Sequence, residues 1–285
     1  IRVERLHQDA ERPCDPTLRA GTRRNTGDSP VTIRRRDLLV VGGIIAVIYG
    51  LRALPWDRLG GRGLSYVDIE GVPPFRRLEL AGQTSTANIA LVGLDGPLPE
   101  AGARRARMET LRTDPCPALF GNSASNSEVP IAYFSEFRCP FCRALERDLE
   151  SLLAEDPTAF RLVQHELPIF GPPSELAARA SVAAARQGKQ QELRRRFMRT
   201  PMVAEEASVR RVAETLDLDV EQLLIDMSSV GVQAELDQTR ALADLFGFIG
   251  TPGLVIGRTV LSGAVPLSLL RQIAEEEKAE PFPAC

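Results

Sequence analysis

From Val129 onward, apolar positions change spacing several times, and each change predicts a new element. Residues 129–134, Val-Pro-Ile-Ala-Tyr-Phe, form one continuous β-branched and aromatic run, which reads as a strand buried on both faces. Residues 135–138 form a short loop. After Cys139 the period lengthens: Leu145, Leu149, Leu152 and Leu153 recur at three- and four-residue steps and predict a helix to about Glu155. Residues 160–167 read as a second strand, completing a right-handed parallel β–α–β crossover. A helical block follows. Its first helix opens at Pro172-Pro173-Ser174, with Ser174 as the expected N-cap and an Ala-rich body ending at Gly188. Further helical patterns cover 190–198, 208–216 and 219–227, where Asp219 with Gln222 resembles a capping box. Residues 231–246 close the block, with Gly247 past the end. Two short strands, 253–256 and 259–261, are joined at Gly257-Arg258, a two-residue hairpin signal, and 266–278 is a last helix.

Upstream the pattern weakens. Residues 55–128 are rich in Gly and Pro, with strand-like runs at 75–80 and 88–94 and a helical turn or two at 104–112. This lead-in is expected to give one edge strand to the main sheet. Further back, Arg34-Arg35-Arg36-Asp37-Leu38-Leu39 opens an uncharged run of 14 residues ending at Leu51. A spanning helix needs about 20, so the run fits a signal-peptide core better, and Arg-Arg-x-Leu-Leu resembles a twin-arginine export signal. A plain basic n-region or a retained anchor at 38–54 are the other readings, since no clear cleavage site precedes Pro55-Trp56. Residues 31–54 are therefore expected to export the chain to a bacterial periplasm or cell envelope. Residues 1–30 are polar, aperiodic and begin with Ile; Val31, read from an alternative start codon, is the expected initiator, which leaves Cys14 out of the chemistry.

Charge narrows the partners. Formal net charge is −3, but residues 1–36 carry nine Arg against five acids, so the remainder, with 26 basic and 33 acidic residues, stands at −7. An acidic body is poorly suited to nucleic acid, whose phosphates need clustered Lys and Arg. Five cysteines are present, Cys14, Cys116, Cys139, Cys142 and Cys285, too few for a disulfide-stapled miniprotein. Only Cys139 and Cys142 lie close together. With no second C-x-x-C and few other ligands, structural zinc is not indicated, and neither is any cofactor.

The position of Cys139-Pro140-Phe141-Cys142 gives the motif its weight. Cys139 falls where a buried strand hands over to a helix, so unpaired N–H groups and the helix dipole bring partial positive charge to its sulfur and favour thiolate. Arg138 adds a full charge if its side chain turns that way. Pro140 suits the first helical turn, where no N–H is needed, and Phe141 completes the motif. Cys142, three residues on, shares a helix face with Cys139 and can close or open a ring with it. Cys139 is the expected nucleophile and Cys142 the resolving thiol.

Three features together resemble the DsbA-like branch of the thioredoxin superfamily. They are Tyr133-Phe134-Ser135 leading into the C-P-F-C motif, the helical insertion after the second strand, and Thr251-Pro252 just before the hairpin. The resemblance covers roughly residues 129–278, with the insertion at about 174–246 and a tail at 279–285. It implies an α/β thioredoxin-like fold, a central mixed sheet flanked by helices with an inserted helical subdomain. It also implies that Pro252 is cis and faces the disulfide, and that Thr251 offers its backbone to an extended substrate segment. The activity implied is thiol–disulfide exchange with cysteine-containing exported proteins, most simply as a disulfide donor, with a separate redox partner reoxidising the pair. A reductase or isomerase, or a redox-inert binding module, are the alternatives.

One position departs from the family pattern. Where such enzymes often keep a buried carboxylate, six residues before the first motif cysteine, this chain has Tyr133. Glu136 is the nearest acid on the approach; it either substitutes through water or is a solvated loop residue. His165 reads as a satisfied strand histidine rather than a catalyst. Cys116 and Cys285 are candidates for a second, structural disulfide, against free or intermolecular thiols.

Overall fold

The computed structural model describes residues 64–79, 101–121, 128–200 and 205–280. The export segment at 31–54, the run at 88–94, Cys14 and Cys285 lie outside these residues, and no helix within them is long and apolar enough to cross a membrane.

The chain enters through an antiparallel hairpin, β1 (Ser65–Asp68) and β2 (Arg76–Glu79), followed by α1 (Ala101–Thr113) and α2 (Cys116–Phe120). The crossover is β3 (Val129–Ser135), α3 (Pro140–Glu155) and β4 (Phe160–Glu166), with β3 and β4 parallel. Five helices are inserted next: α4 (Pro172–Ala184), α5 (Gln190–Arg199), α6 (Glu206–Glu214), α7 (Val220–Met227) and α8 (Val230–Leu245). The antiparallel pair β5 (Gly253–Ile256) and β6 (Thr259–Ser262) and the helix α9 (Leu267–Ala279) complete the described chain. The six strands form one mixed sheet in the order β1-β2-β6-β5-β3-β4, the thioredoxin-like arrangement.

Two local expectations are corrected. The lead-in gives two strands to the sheet, not one: β2 runs parallel to β6, and β1 forms the edge beyond it. The second strand was hidden because Ser-Tyr-Val-Asp is only four residues long and mostly exposed, with no apolar run to betray it. The first inserted helix begins at Pro172, not after Ser174. Pro172 and Pro173 occupy the first two helical positions, where a missing N–H costs nothing, so the N-cap is Gly171 at φ 78°. Ser174 is thereby drawn into the first turn and buried. At α7, Asp219 does cap, accepting from the Gln222 N–H at 2.9 Å.

Strand β3 is buried along its whole length, which is why its sequence is apolar on both faces rather than alternating. On one face Ile131 and Tyr133 pack against Leu145, Leu149 and Leu152 of α3 and Leu270 and Ile273 of α9. On the other, Ala132 and Phe134 meet an aromatic layer of Phe75, Phe120, Phe246 and Phe248. Each such large side chain contributes roughly 1.5–3 kcal/mol on burial, so β3 is pinned from both sides. The inserted helices have a core of their own, and Phe137, Cys139 and Cys142 belong to that cluster. The insertion therefore roofs the beginning of α3.

Candidate active site

The rigid strand β3 ends at Ser135, and the chain turns through Glu136, Phe137 and Arg138 into α3. Cys139 is the N-cap of that helix, with extended backbone (φ −78°, ψ 117°), and Pro140 begins the helix proper. No β-branched residue interrupts α3, and its buried leucines fix which face turns inward. The Cys139 sulfur accepts from the Cys142 backbone N–H at 3.4 Å, the donor that a helix start leaves free. It also donates to the Thr251 carbonyl oxygen at 3.5 Å. The Thr251–Pro252 peptide bond is cis, and the Pro252 carbonyl accepts from Gly263 N–H at 2.8 Å, tying this loop to the end of β6. Both motif cysteines are free.

The two sulfurs are unequal. Cys139 keeps 3% of its surface exposed and Cys142 none, so only the first can meet a partner without rearrangement. Burial pushes the Cys142 thiol up to about 12; Thr251 and the Glu136 backbone pull it the other way without prevailing, and Cys139 adds to the rise. Cys142 therefore holds its proton at neutral pH and must lose it when it reacts. Phe141, between them, is 63% exposed. Three more large apolar side chains are exposed on segments that meet here: Ile249 ahead of Thr251, and Ile169 and Phe170 on the loop after β4.

Arg138 does not turn to the sulfur; its guanidinium donates to the Phe170 carbonyl at 3.1 Å. Glu136 is neither solvated nor free. It is 1% exposed, and its carboxylate accepts from the backbone N–H groups of Arg138 and Ile169, each at 2.9 Å. It stitches the approach loop to the loop after β4, so it is not a solvated loop residue. Tyr133 donates its hydroxyl to the Cys142 carbonyl oxygen at 2.8 Å. His165 is a core histidine: burial lowers it to about 4, and Nε2 lies 2.8 Å from the Leu119 carbonyl. Cys116 is disulfide-bonded.

Sequence reasoning missed Arg194. This side chain is fully buried and holds Glu166 through Nη1 (2.8 and 2.7 Å), and Glu146 (2.8 Å) and the Ser135 hydroxyl (2.7 Å) through Nη2. The only signal was its place at an apolar position of α5, between Leu193 and the Phe197-Met198 pair, inside an otherwise exposed run of arginines.

Comparison with known proteins agrees with this architecture. The family model described as DSBA-like thioredoxin domain matches residues 130–274, half of the chain. A thioredoxin-like oxidoreductase from Silicibacter pomeroyi DSS-3 superposes with a TM-score of 0.54 at 34% identity, covering 57% of this chain and 98% of that one. The thiol-disulfide exchange protein alpha-DsbA2 from Wolbachia pipientis (TM-score 0.53, 19% identity, 62% and 98% covered) and the catalytic domain of Proteus mirabilis ScsC (0.52, 23%, 61% and 99%) share the fold. A curated relative, Na(+)/H(+) antiporter NhaA 3 of Salinispora tropica, is 31% identical over 126 residues, 44% of this chain and only 19% of that protein. With strand, capped cysteine, cis-proline loop and helical roof in one arrangement and the family model matched across them, the chain belongs to the DSBA-like thioredoxin domain family and is a protein thiol:disulfide oxidoreductase.

Proposed function

We propose that the chain donates disulfides to cysteine-containing exported proteins through Cys139-Pro140-Phe141-Cys142. The observation that carries this reading is the Cys139 sulfur at the cap of α3, between the Cys142 N–H and the Thr251 carbonyl. A substrate thiolate attacks Cys139 of the oxidised pair; the Cys139–Cys142 bond breaks and Cys142 leaves. A second substrate thiol then attacks the mixed disulfide, leaving substrate oxidised and both motif cysteines reduced. The N–H donor acts on charge gathering at the Cys139 sulfur, which favours the reduced site and makes its disulfide the stronger oxidant. Thr251 presents backbone groups to an extended substrate segment, and exposed Phe141, Ile169, Phe170 and Ile249 suit apolar residues flanking the substrate cysteine. Arg138 braces the loop that carries two of them. Export through residues 31–54 places the reaction in an oxidising envelope compartment, where a separate redox partner reoxidises the pair.

The test is oxidative refolding of a reduced, unfolded cysteine protein. Cys139→Ser should abolish it, and Cys142→Ser should accumulate a mixed disulfide at Cys139. Equilibration with glutathione fixes direction: a pair that glutathione reduces readily is a donor, and one that resists reduction is a reductase.

A further inference from the structure

The loop after β4, residues 167–171, carries two large apolar side chains into water: Ile169 is 43% and Phe170 48% exposed. On a free loop such groups fold inward or scatter, because contact with water is unfavourable to them. Here the backbone beneath them is tied down. The β3–β4 pairing extends by one rung, from the Leu167 N–H to the Ser135 carbonyl at 2.8 Å. Pro168 then has no N–H to offer, and the approach loop turns away towards α3. Side chains continue what the backbone leaves off. Glu136 accepts from the Ile169 N–H at 2.9 Å, and the Arg138 guanidinium donates to the Phe170 carbonyl at 3.1 Å.

Glu136 also holds the cysteine side of this junction. Its second carboxylate oxygen accepts from the Arg138 N–H at 2.9 Å, and its carbonyl accepts from the Cys139 N–H at 3.1 Å. Burial pushes the Cys142 thiol up, and the Glu136 backbone is among the groups that oppose the rise. One residue thus joins the cap of α3 to the loop that presents Ile169 and Phe170. Because Glu136 is buried, water competes for neither amide. Hydrogen bonds to a carboxylate are roughly twice as strong as those to a neutral acceptor, so the tie is firm.

We infer that Glu136 is a positioning residue for protein substrates: its carboxylate fixes Ile169 and Phe170 beside Cys139 as a preformed apolar wall, against which a bulky apolar residue next to the substrate cysteine packs. The inference rests on reading Cys139 and Cys142 as the exchange pair. The Glu136 side chain acts through the loop and takes no part in making or breaking bonds. A wall already in place spares the substrate the cost of ordering it on arrival. Its loss therefore shows in the half-saturation concentration of substrates that reach the wall, and not in the chemistry at sulfur.

Reduction of the oxidised protein by dithiols tests this: the pair ends as two thiols, counted by alkylation after an acid quench, and the dithiol ends as its disulfide. Three reductants are compared. One is dithiothreitol; the others are peptides with two cysteines, carrying either Phe and Leu or Ser and Gly beside the first cysteine. The parent protein should show the lower half-saturation for the Phe-Leu peptide. Glu136→Gln offers one of the two amides an NH2 group instead of an acceptor. It should raise that half-saturation roughly tenfold, towards the value of the Ser-Gly peptide. The rate with dithiothreitol, too small to reach the wall, should change at most about twofold. Phe170→Ser should raise the same half-saturation, and combining the two substitutions should add little, because both act on one wall. Equal slowing with all three reductants, fully additive losses in the double variant, or equal half-saturations of the parent for the two peptides overturn the assignment. Should the Gln variant not fold, Glu136→Asp decides, its carboxylate falling one methylene short of spanning both amides. A half-saturation raised about threefold for the Phe-Leu peptide alone supports the role, and an unchanged one refutes it. A parent protein whose motif disulfide neither peptide reduces would instead refute the exchange pair itself.

Discussion

Two buried carboxylates in this molecule meet arginines in opposite proportion. Beneath the β5–β6 turn, the Glu277 side chain is fully buried and meets two arginines, Arg76 at 3.0 Å and Arg258 at 3.5 Å. It also accepts from the Thr259 hydroxyl at 2.6 Å and the Arg258 N–H at 3.1 Å. One anion there ties β2, the hairpin turn and β6 to α9, and the carboxylate sits so close to Gly257 (φ 53°) that a Cβ would collide with it. Around Arg194 the ratio is inverted, with two carboxylates on one guanidinium. Burial there raises the Glu166 pKa, with Glu146 adding to the rise and Arg194 opposing it. Similar residues make a latch in one place and a pH-sensitive ion cluster in the other.

The comparison breaks most visibly if the single cation is removed. Arg194→Met should cost about 3–5 kcal/mol at neutral pH, because it leaves Glu166 buried without its counter-charge. The deficit should depend on pH. Burial raises the folded Glu166 pKa above its ordinary 4.5, while Arg194 lowers it in part. A carboxyl raised on folding contributes stability below its unfolded pKa and loses it as pH rises through the folded value. Removing Arg194 raises the folded value further, so the difference between variant and parent should widen from pH 5 to pH 8. Urea midpoints across that range check it; a constant difference would mean that Glu166 does not carry the charge there.

The latch should respond less and elsewhere. Glu277→Gln leaves Arg76 and Arg258 partly solvated, with 21% and 18% of their side chains exposed, so water can replace what the carboxylate supplied. A loss of about 1–3 kcal/mol is expected from its charged hydrogen bonds. Hydrogen exchange should quicken in 65–79, where β1 and β2 depend on the latch, while the rate of oxidative refolding is kept. Unchanged protection of 65–79 would mean that this carboxylate does not hold the two strands.

How far the sequence foretold these regions differs in the same way. The β–α–β crossover and the capping cysteine were legible because each has a local mark: an unbroken apolar run and a cysteine at a change of period. The cis-proline loop was foretold by the family resemblance, since Thr-Pro by itself reads as an ordinary trans turn. The edge strand β1 was not, since its four residues are stabilised by pairing with β2 and not by an apolar face of their own. The ionic centres were not legible either. Arg194, Glu166 and Glu146 are 28 and 20 residues apart in sequence and meet only once α5 packs across β4 and α3. Glu136 misled for a related reason: its partner amide at Ile169 lies across the sheet end, and nothing at position 136 announces it.

The smallest expected effect sharpens the comparison most. Tyr133 occupies the place where a carboxylate would exchange the proton, and its hydroxyl touches Cys142 only through the backbone carbonyl. Tyr133→Phe removes one buried hydrogen bond and should cost about 1 kcal/mol, since the Cys142 carbonyl already serves the helix ladder and the ring still fills its space. A phenol that never ionises cannot relay a proton by charge, so disulfide exchange at Cys139 and Cys142 should change less than about twofold, read as the rate of oxidative refolding. A large slowing by Tyr133→Phe would instead place the phenol in the proton route of Cys142.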